Sequence, residues 1–255
     1  MKRDLYFSKP LMNAAGSLGF APDPRAGISF DSFGAFVTNP FSLRPRVPAA
    51  KPEILYYPGG FLLHSGLPNP GFNTGIKRYA SRWDKSNLPI IVHLMADRPE
   101  ETQGMVQMLE MHENVMAAEL GFAPLLANDI LLLTLEMCLG ELPLIFSLPM
   151  EQVLSLGPRL IQQGAQAISI SAPRGALPLT PHPSPLVTGR LYGPSLFPRA
   201  LETVYSAAKL GLPIIGAGGV WTRENAEAML SAGALAVQVD AALWGVNWLS
   251  QSSME

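Results

Sequence analysis

The chain has little cysteine, little charge and no long apolar run, and each shortage narrows what it can be. Cys138 is the only cysteine among 255 residues. That excludes a disulfide framework and any multi-cysteine metal or iron–sulfur site within this chain, and makes a reducing, cytoplasmic setting the default. The four histidines fall at no helical or hairpin spacing, so no metal site is expected. Charged residues make up only 15% and nearly cancel, to a net −2. Without a basic face, neither nucleic acid nor an anionic membrane is an expected partner. The longest apolar stretches, 130–135 and 142–146, are too short to span a bilayer and are separated by Glu136, Gly140 and Glu141. The start of the chain runs from Met1 through mixed residues to Pro10 with no apolar signal core, so no targeting segment is expected.

What is present is apolar substance in a regular rhythm. Hydrophobic residues are 48% of the chain, enough for a large core, and 255 residues suit one eight-stranded α/β barrel. Short apolar runs that read as strands lie at 11–16, 35–39, 90–97, 116–121, 144–148, 167–171, 213–218 and 234–239. Helical periodicity fits 75–83, 99–112, 127–139, 151–163, 195–210 and 222–232, with Thr222 as N-cap and Gly233 as C-cap of the last. Strand–helix alternation implies a parallel sheet, and eight strands favour its closure. The expectation is α/β, a single (β/α)8 TIM barrel filling residues 1–255 as one domain, with a short eighth helix because little chain follows Trp244.

Two segments break the rhythm, 40–73 and 174–194, both rich in proline and glycine. Each follows the C-terminal end of a strand, the side on which barrel active sites lie. They read either as functional loops or as insertions that cap the barrel. Further on, Pro213-Ile214-Ile215-Gly216-Ala217-Gly218-Gly219-Val220 reads as a strand running into a glycine turn before a helix, and Ala236-Val237-Gln238-Val239-Asp240 as the next strand and its exit. Loops after the last two barrel strands commonly cradle phosphate, since glycine lets the backbone approach and amides point at the anion. A tight packing turn without a ligand is the alternative.

At this point the sequence resembles the dihydroorotate dehydrogenase family, over roughly residues 5–100 and 165–245. Tyr192-Gly193-Pro194, the 216–219 turn and Ala232-Gly233-Ala234 follow its C-terminal third. Leu11-Met12-Asn13-Ala14-Ala15-Gly16 is similar to its first strand, Val37-Thr38-Asn39 to the end of its second, and Ser65-Gly66-Leu67-Pro68-Asn69 to its substrate loop. The resemblance implies a soluble FMN-dependent oxidoreductase of pyrimidine biosynthesis, acting on a small molecule and occurring as a homo-oligomer or with a related barrel subunit. It would place Ala14, Ala15 and Gly16 against the flavin and Gly193 near its ring. Ala217, Gly218, Gly219 and Ala241 would lie at its phosphate, and Ser65, Gly66, Leu67 and Asn69 at the substrate; His64, next to Ser65 in the long second loop, faces either the substrate or solvent.

The sequence also departs from the family. Asn39 and Ser147 stand where the family has lysines beside the flavin, and the loop Glu119-Leu120-Gly121-Phe122-Ala123-Pro124 holds no thiol or hydroxyl where the family has its catalytic cysteine or serine. Leu63, Ser171 and Ala172 replace asparagines, leaving Asn69 as the main amide ligand in register. Asp240 replaces a glycine at the phosphate loop, where it would either repel the anion or occupy its place. Oxidation of dihydroorotate itself is therefore not expected, and a non-catalytic paralogue acting as a binding or regulatory partner is the alternative function. His93, in phase with Ile91 and Met95, is either a replacement base or a hydrogen-bonded core histidine. Glu119 is read first as a buried structural partner, Cys138 as an inert packing residue, and His112 and His182 as surface residues.

Overall fold

A computed structural model describes residues 4–23, 25, 27–51, 53–179 and 185–245; His182 and the segment after Gly245 lie outside them. Eight parallel strands close into a barrel in the order β1 (Leu11–Asn13), β12 (Ala236–Val239), β11 (Ile214–Ala217), β8 (Ala167–Ile170), β7 (Leu144–Leu148), β6 (Val115–Gly121), β5 (Ile90–Met95) and β2 (Phe33–Val37). All eight are the strands expected from the sequence. Nearly every residue on them is buried, because a parallel barrel is covered by side chains within and by helices without. The sequence correspondingly shows continuous apolar runs rather than alternation.

Two apolar layers result. Inside the barrel, Met12, Val37, Ile91, Ile145 and Ile215 interleave with the small Ala35, Ala117, Ala167 and Ala236, large against small as a closed cylinder requires. Outside, Phe36, Val92, Leu120, Phe146 and Ile168 meet the helices. These are α1 (Phe72–Asp84), α2 (Pro99–Leu109), α3 (Asn128–Cys138), α4 (Met150–Gln163), α5 (Phe197–Lys209) and α6 (Arg223–Ser231). On α4 the buried Val153, Leu156 and Leu160 recur at helical spacing. Thr222 caps α6 as expected: its side chain accepts from the Asn225 amide at 3.3 Å, and the Asn225 Oδ1 accepts from the Thr222 amide at 3.1 Å. Cys138 is buried on α3 and burial pushes its thiol up to about 12, so it packs and does not react. A short 3₁₀ turn, Ala241–Trp244, follows the last strand.

The two rhythm-breaking segments are more than loops. They pair with each other in a four-stranded antiparallel sheet ordered β3 (Glu53–Tyr57), β4 (Gly60–His64), β10 (Leu186–Tyr192), β9 (Arg174–Pro178). Local sequence hid this because the central pairing, Arg190 with Leu63 through Tyr192 with Phe61, joins residues more than a hundred positions apart. Aromatic contacts tie this sheet to the turn after the last barrel strand. Phe61 stacks on Tyr192 at 5.5 Å, Trp244 packs on both at 6.1 and 5.8 Å, and its Nε1 donates to the Ser17 carbonyl at 2.8 Å.

Candidate functional site

Above the apolar layer, the inward position two residues further along is polar on five of the strands. Ile91 gives way to His93, Ala117 to Glu119, Ile145 to Ser147, Ala167 to Ser169 and Ala236 to Gln238. The β5–β6 register sets His93 opposite Glu119, and the side chains lock together. The His93 Nδ1 lies 3.0 Å from the Glu119 Oε2, while the Ser169 hydroxyl and the Gln238 Nε2 (2.9 Å) donate to the Oε1. Burial works against ionising Glu119, but the hydrogen bond and charge of His93, helped by Ser169 and Gln238, outweigh it and hold the carboxyl below its ordinary range. A carboxylate can only accept, so Nδ1 carries the proton and Nε2 is left for other chemistry. Nε2 lies where a side chain on Gly121 would begin, 2.4 Å from an ideal Cβ there, so only glycine at the exit of β6 leaves the ring this position.

The polar layer floors a cavity of about 400 Å³ at the C-terminal end of the strands, within the range of small-molecule sites. Ala14, Ala15, His93, Glu119, Gly121, Ser147, Ser171, Ala217, Gly218, Gln238 and Asp240 line it. Phe122, stacked on Phe146 at 5.4 Å, adds apolar wall with Leu126 and Leu131, and the antiparallel sheet contributes Arg174, Arg190 and Tyr192. Burial raises the Tyr192 hydroxyl above its ordinary value, with the Asp240 charge adding and Arg190 opposing. Asp240 is 6% exposed, and burial pushes its carboxyl up to about 6 against the Ala241 amide, which donates to it at 2.6 Å.

The glycine turn bears two signs at once. Gly218 and Gly219 have φ of +100° and +70°, and a Cβ on Gly219 would meet the Phe197 amide nitrogen at 2.4 Å, so close packing alone demands glycine there. Yet both residues are buried, and among the described residues their amides have no acceptor. Buried donors without partners are rare and fit an anion supplied from outside the chain.

Other residues singled out from the sequence sit away from the cavity wall. Asn39 turns back to β1's exit, its Oδ1 accepting from the Gly19 amide at 3.0 Å. Gly16 lies in the turn after β1, and Gly193 (φ +135°) is pressed on the β3–β4 hairpin, where a Cβ would meet the Gly59 carbonyl at 2.4 Å. His64 ends β4 opposite Glu53. The Ser65 carbonyl accepts from the Ala49 amide at 2.9 Å, the Gly66 carbonyl from the Arg46 Nε at 3.2 Å, and Leu67 holds a positive φ of 53°. Asn69 organises that loop: its Oδ1 accepts from the Gly71 amide at 3.0 Å and its Nδ2 donates to the Ser42 hydroxyl at 3.0 Å and the Leu67 carbonyl at 3.2 Å. Sequence reasoning passed over Arg174 and Arg190, Ser169 and Gln238. The strand phase through Ala167 and Ala236 points to the last two, whereas no local signal marks the arginines. Among the described residues no group of three or more His, Cys, Asp or Glu could hold a metal, and no helix is long and apolar enough to cross a membrane.

The comparisons agree with this geometry. The family model described as dihydroorotate dehydrogenase matches residues 3–121 and 172–252; the unmatched interval starts at Phe122, where the loop after β6 departs. The catalytic subunit of dihydroorotate dehydrogenase B (NAD(+)) of Geotalea uraniireducens is 28% identical over 265 residues, covering 96% of this chain and 86% of its own. That of Pelobacter propionicus is 30% identical over 257 residues, covering 93% and 84%. Among solved structures, a dihydroorotate dehydrogenase of Eimeria tenella in complex with ferulenol superposes with a TM-score of 0.72 at 16% identity, over 94% of this chain and 78% of that one, a likeness of fold. A closed barrel of this strand order, carrying the family's sequence along its N-terminal half and again from β9 to its end, makes the chain a member of the dihydroorotate dehydrogenase family.

Proposed function

We propose that the chain is an FMN-binding oxidoreductase of the dihydroorotate dehydrogenase type in which the His93–Glu119 pair, rather than a loop cysteine or serine, handles the proton. The observation that carries this reading is a cavity with Gly218 in its wall, at a glycine turn whose Gly218 and Gly219 amides have no acceptor among the described residues, and a buried carboxylate–imidazole pair in its floor. The amides fit the phosphate end of FMN, which is the family's cofactor. Ala14, Ala15, Ser147 and Ala217 offer walls for its ring. When bound, FMN supplies the two-electron acceptor.

The chain's own residues then have distinct tasks. Glu119 fixes the His93 tautomer and stabilises the imidazolium formed when Nε2 takes a proton from a substrate in the cavity, the relation a carboxylate has to histidine in a hydrolase triad. Ser169 and Gln238 hold the second carboxylate oxygen, so Glu119 does not swing toward the substrate. Phe122, Leu126 and Leu131 give the cavity an apolar wall, which would limit the water that reaches a bound substrate. Dihydroorotate fits this site less well than a different small acid, because Asn69 is committed to its own loop and does not line the cavity. The relatives are named as catalytic subunits, which supports a second subunit for this chain as well.

FMN titration into the purified protein, followed by flavin fluorescence, together with turnover of candidate substrates by the parent and by His93→Gln, tests the reading. Saturable FMN binding that survives His93→Gln while turnover is lost supports it. Absence of FMN binding at any attainable concentration sinks the cofactor half, and full turnover by His93→Gln sinks the proton half.

A further inference from the structure

Two arginines in the cavity wall have no task in the flavin reading. Arg174 on β9 and Arg190 on β10 stand directly opposite each other in the antiparallel register, and both line the cavity. Alternation along β10 brings Tyr192, two residues on, to the same wall. Among the described residues neither guanidinium has a carboxylate within ion-pair distance. The acidic groups of the cavity are engaged elsewhere: Glu151 pairs with Arg199 at 3.2 Å, Glu119 with His93, and Asp240 with the Ala241 amide. Like charges directly opposite across a ladder destabilise it. Desolvation, with the Arg190 charge added and Asp97 opposing, pulls Arg174 below the ordinary arginine value. The exposure of Arg174 and the Asp97 charge relieve part of this repulsion, and an oxyanion with two charges would neutralise the pair outright, since guanidinium forks match its oxygens in geometry and in sign.

We infer that Arg174 and Arg190 form an oxyanion clamp, a second anion subsite beside the Gly218–Gly219 turn, which holds the doubly charged end of a small-molecule ligand: a phosphate monoester or a pair of carboxylates. The ligand's body then lies along Phe122 and Leu126, above His93. As a substrate subsite the clamp rests on the flavin reading; as an anion site it does not.

The test titrates inorganic phosphate into the full-length protein at about pH 8 and constant ionic strength, by calorimetry and by melting temperature. Malonate and acetate serve as dicarboxylate and monocarboxylate probes, and Arg174→Gln, Arg190→Gln and Arg190→Lys as variants. Phosphate or malonate should bind saturably to the parent, acetate should not, and each Gln variant should bind at least tenfold more weakly. The Lys variant, which keeps the charge without the fork, should fall between. Without anion the Gln variants should melt at the same temperature as the parent or higher, because a repulsion has been removed. A melting temperature lowered in both Gln variants would mean a structural pair, and equal anion affinity in parent and variants would place the anion elsewhere; either overturns the clamp. FMN titrations of the same proteins separate the two ideas. Arginine-dependent phosphate binding with no FMN binding sinks the flavin reading and leaves the clamp. FMN binding throughout, with no arginine-dependent anion binding, does the reverse.

Discussion

Replacing Asp240 by asparagine isolates one buried charge at the mouth of the barrel. The carboxyl is 6% exposed, and burial carries it from 3.8 up to about 6 in the folded protein. Between these values the folded state keeps a proton that the unfolded chain has released, so this group's contribution to stability falls as the pH rises through the window. A shift of roughly two units corresponds to about 3 kcal/mol between pH 3.5 and pH 7. Asparagine keeps an oxygen for the Ala241 amide, which donates at 2.6 Å in the parent, but has nothing to ionise. The stability of Asp240→Asn relative to the parent should therefore climb with pH, by up to ~3 kcal/mol, and flatten above about pH 7. Urea unfolding of both proteins at several pH values from about 4 to 8 measures it. Any fixed cost of the weaker amide acceptor drops out, because only the change with pH is read. A difference that stays constant with pH, or that moves the other way, would show that the Asp240 carboxylate is not desolvated as the structure places it.

The same substitution should tighten FMN binding, by about one to three decades for a like charge at ~4 Å, and more at low salt than at high; unchanged affinity in a flavin titration would mean that Asp240 faces away from the phosphate. Glu119→Leu strands His93, Ser169 and Gln238 around a missing acceptor and should cost ~3–5 kcal/mol in urea unfolding; a loss under about 1 kcal/mol would remove Glu119 from its central place. Trp244→Ala releases the antiparallel sheet from the turn after the last barrel strand and should cost about 1–3 kcal/mol, with hydrogen exchange quickening in β4 and β10 before the barrel strands; uniform quickening would contradict that anchoring. Dihydroorotate should turn over far below a well-chosen anionic substrate even with added FMN, since Asn69, the substrate-loop amide in register, is spent on its own loop and does not line the cavity; His93→Ala should lower turnover of either substrate by ~10²–10⁴-fold, and brisk turnover that survives it would refute the proton assignment.

The barrel was legible in the sequence because its information is local. Eight apolar runs and six amphipathic stretches follow one another along the chain, and a strand buried on both faces announces itself by composition alone. The Thr222 cap and the Gly218–Gly219 turn were legible for the same reason, since backbone chemistry at a helix start or a positive φ needs particular residues at particular places. Family motifs also marked the loop around Asn69, but its direction was not in the motif: that amide is spent on holding residues 42–71 together, as only the folded loop shows. What the tertiary structure alone decided is the character of the cavity. His93 and Glu119 are 26 residues apart and Gln238 is 119 further on; they meet because barrel closure sets adjacent strands in register. Arg174 and Arg190 face each other across a sheet that also takes β3 and β4 from far earlier in the chain. Periodicity reports which way a residue points within its own element, but the partner it meets depends on contacts between elements distant in sequence, and those exist only once the chain has closed on itself.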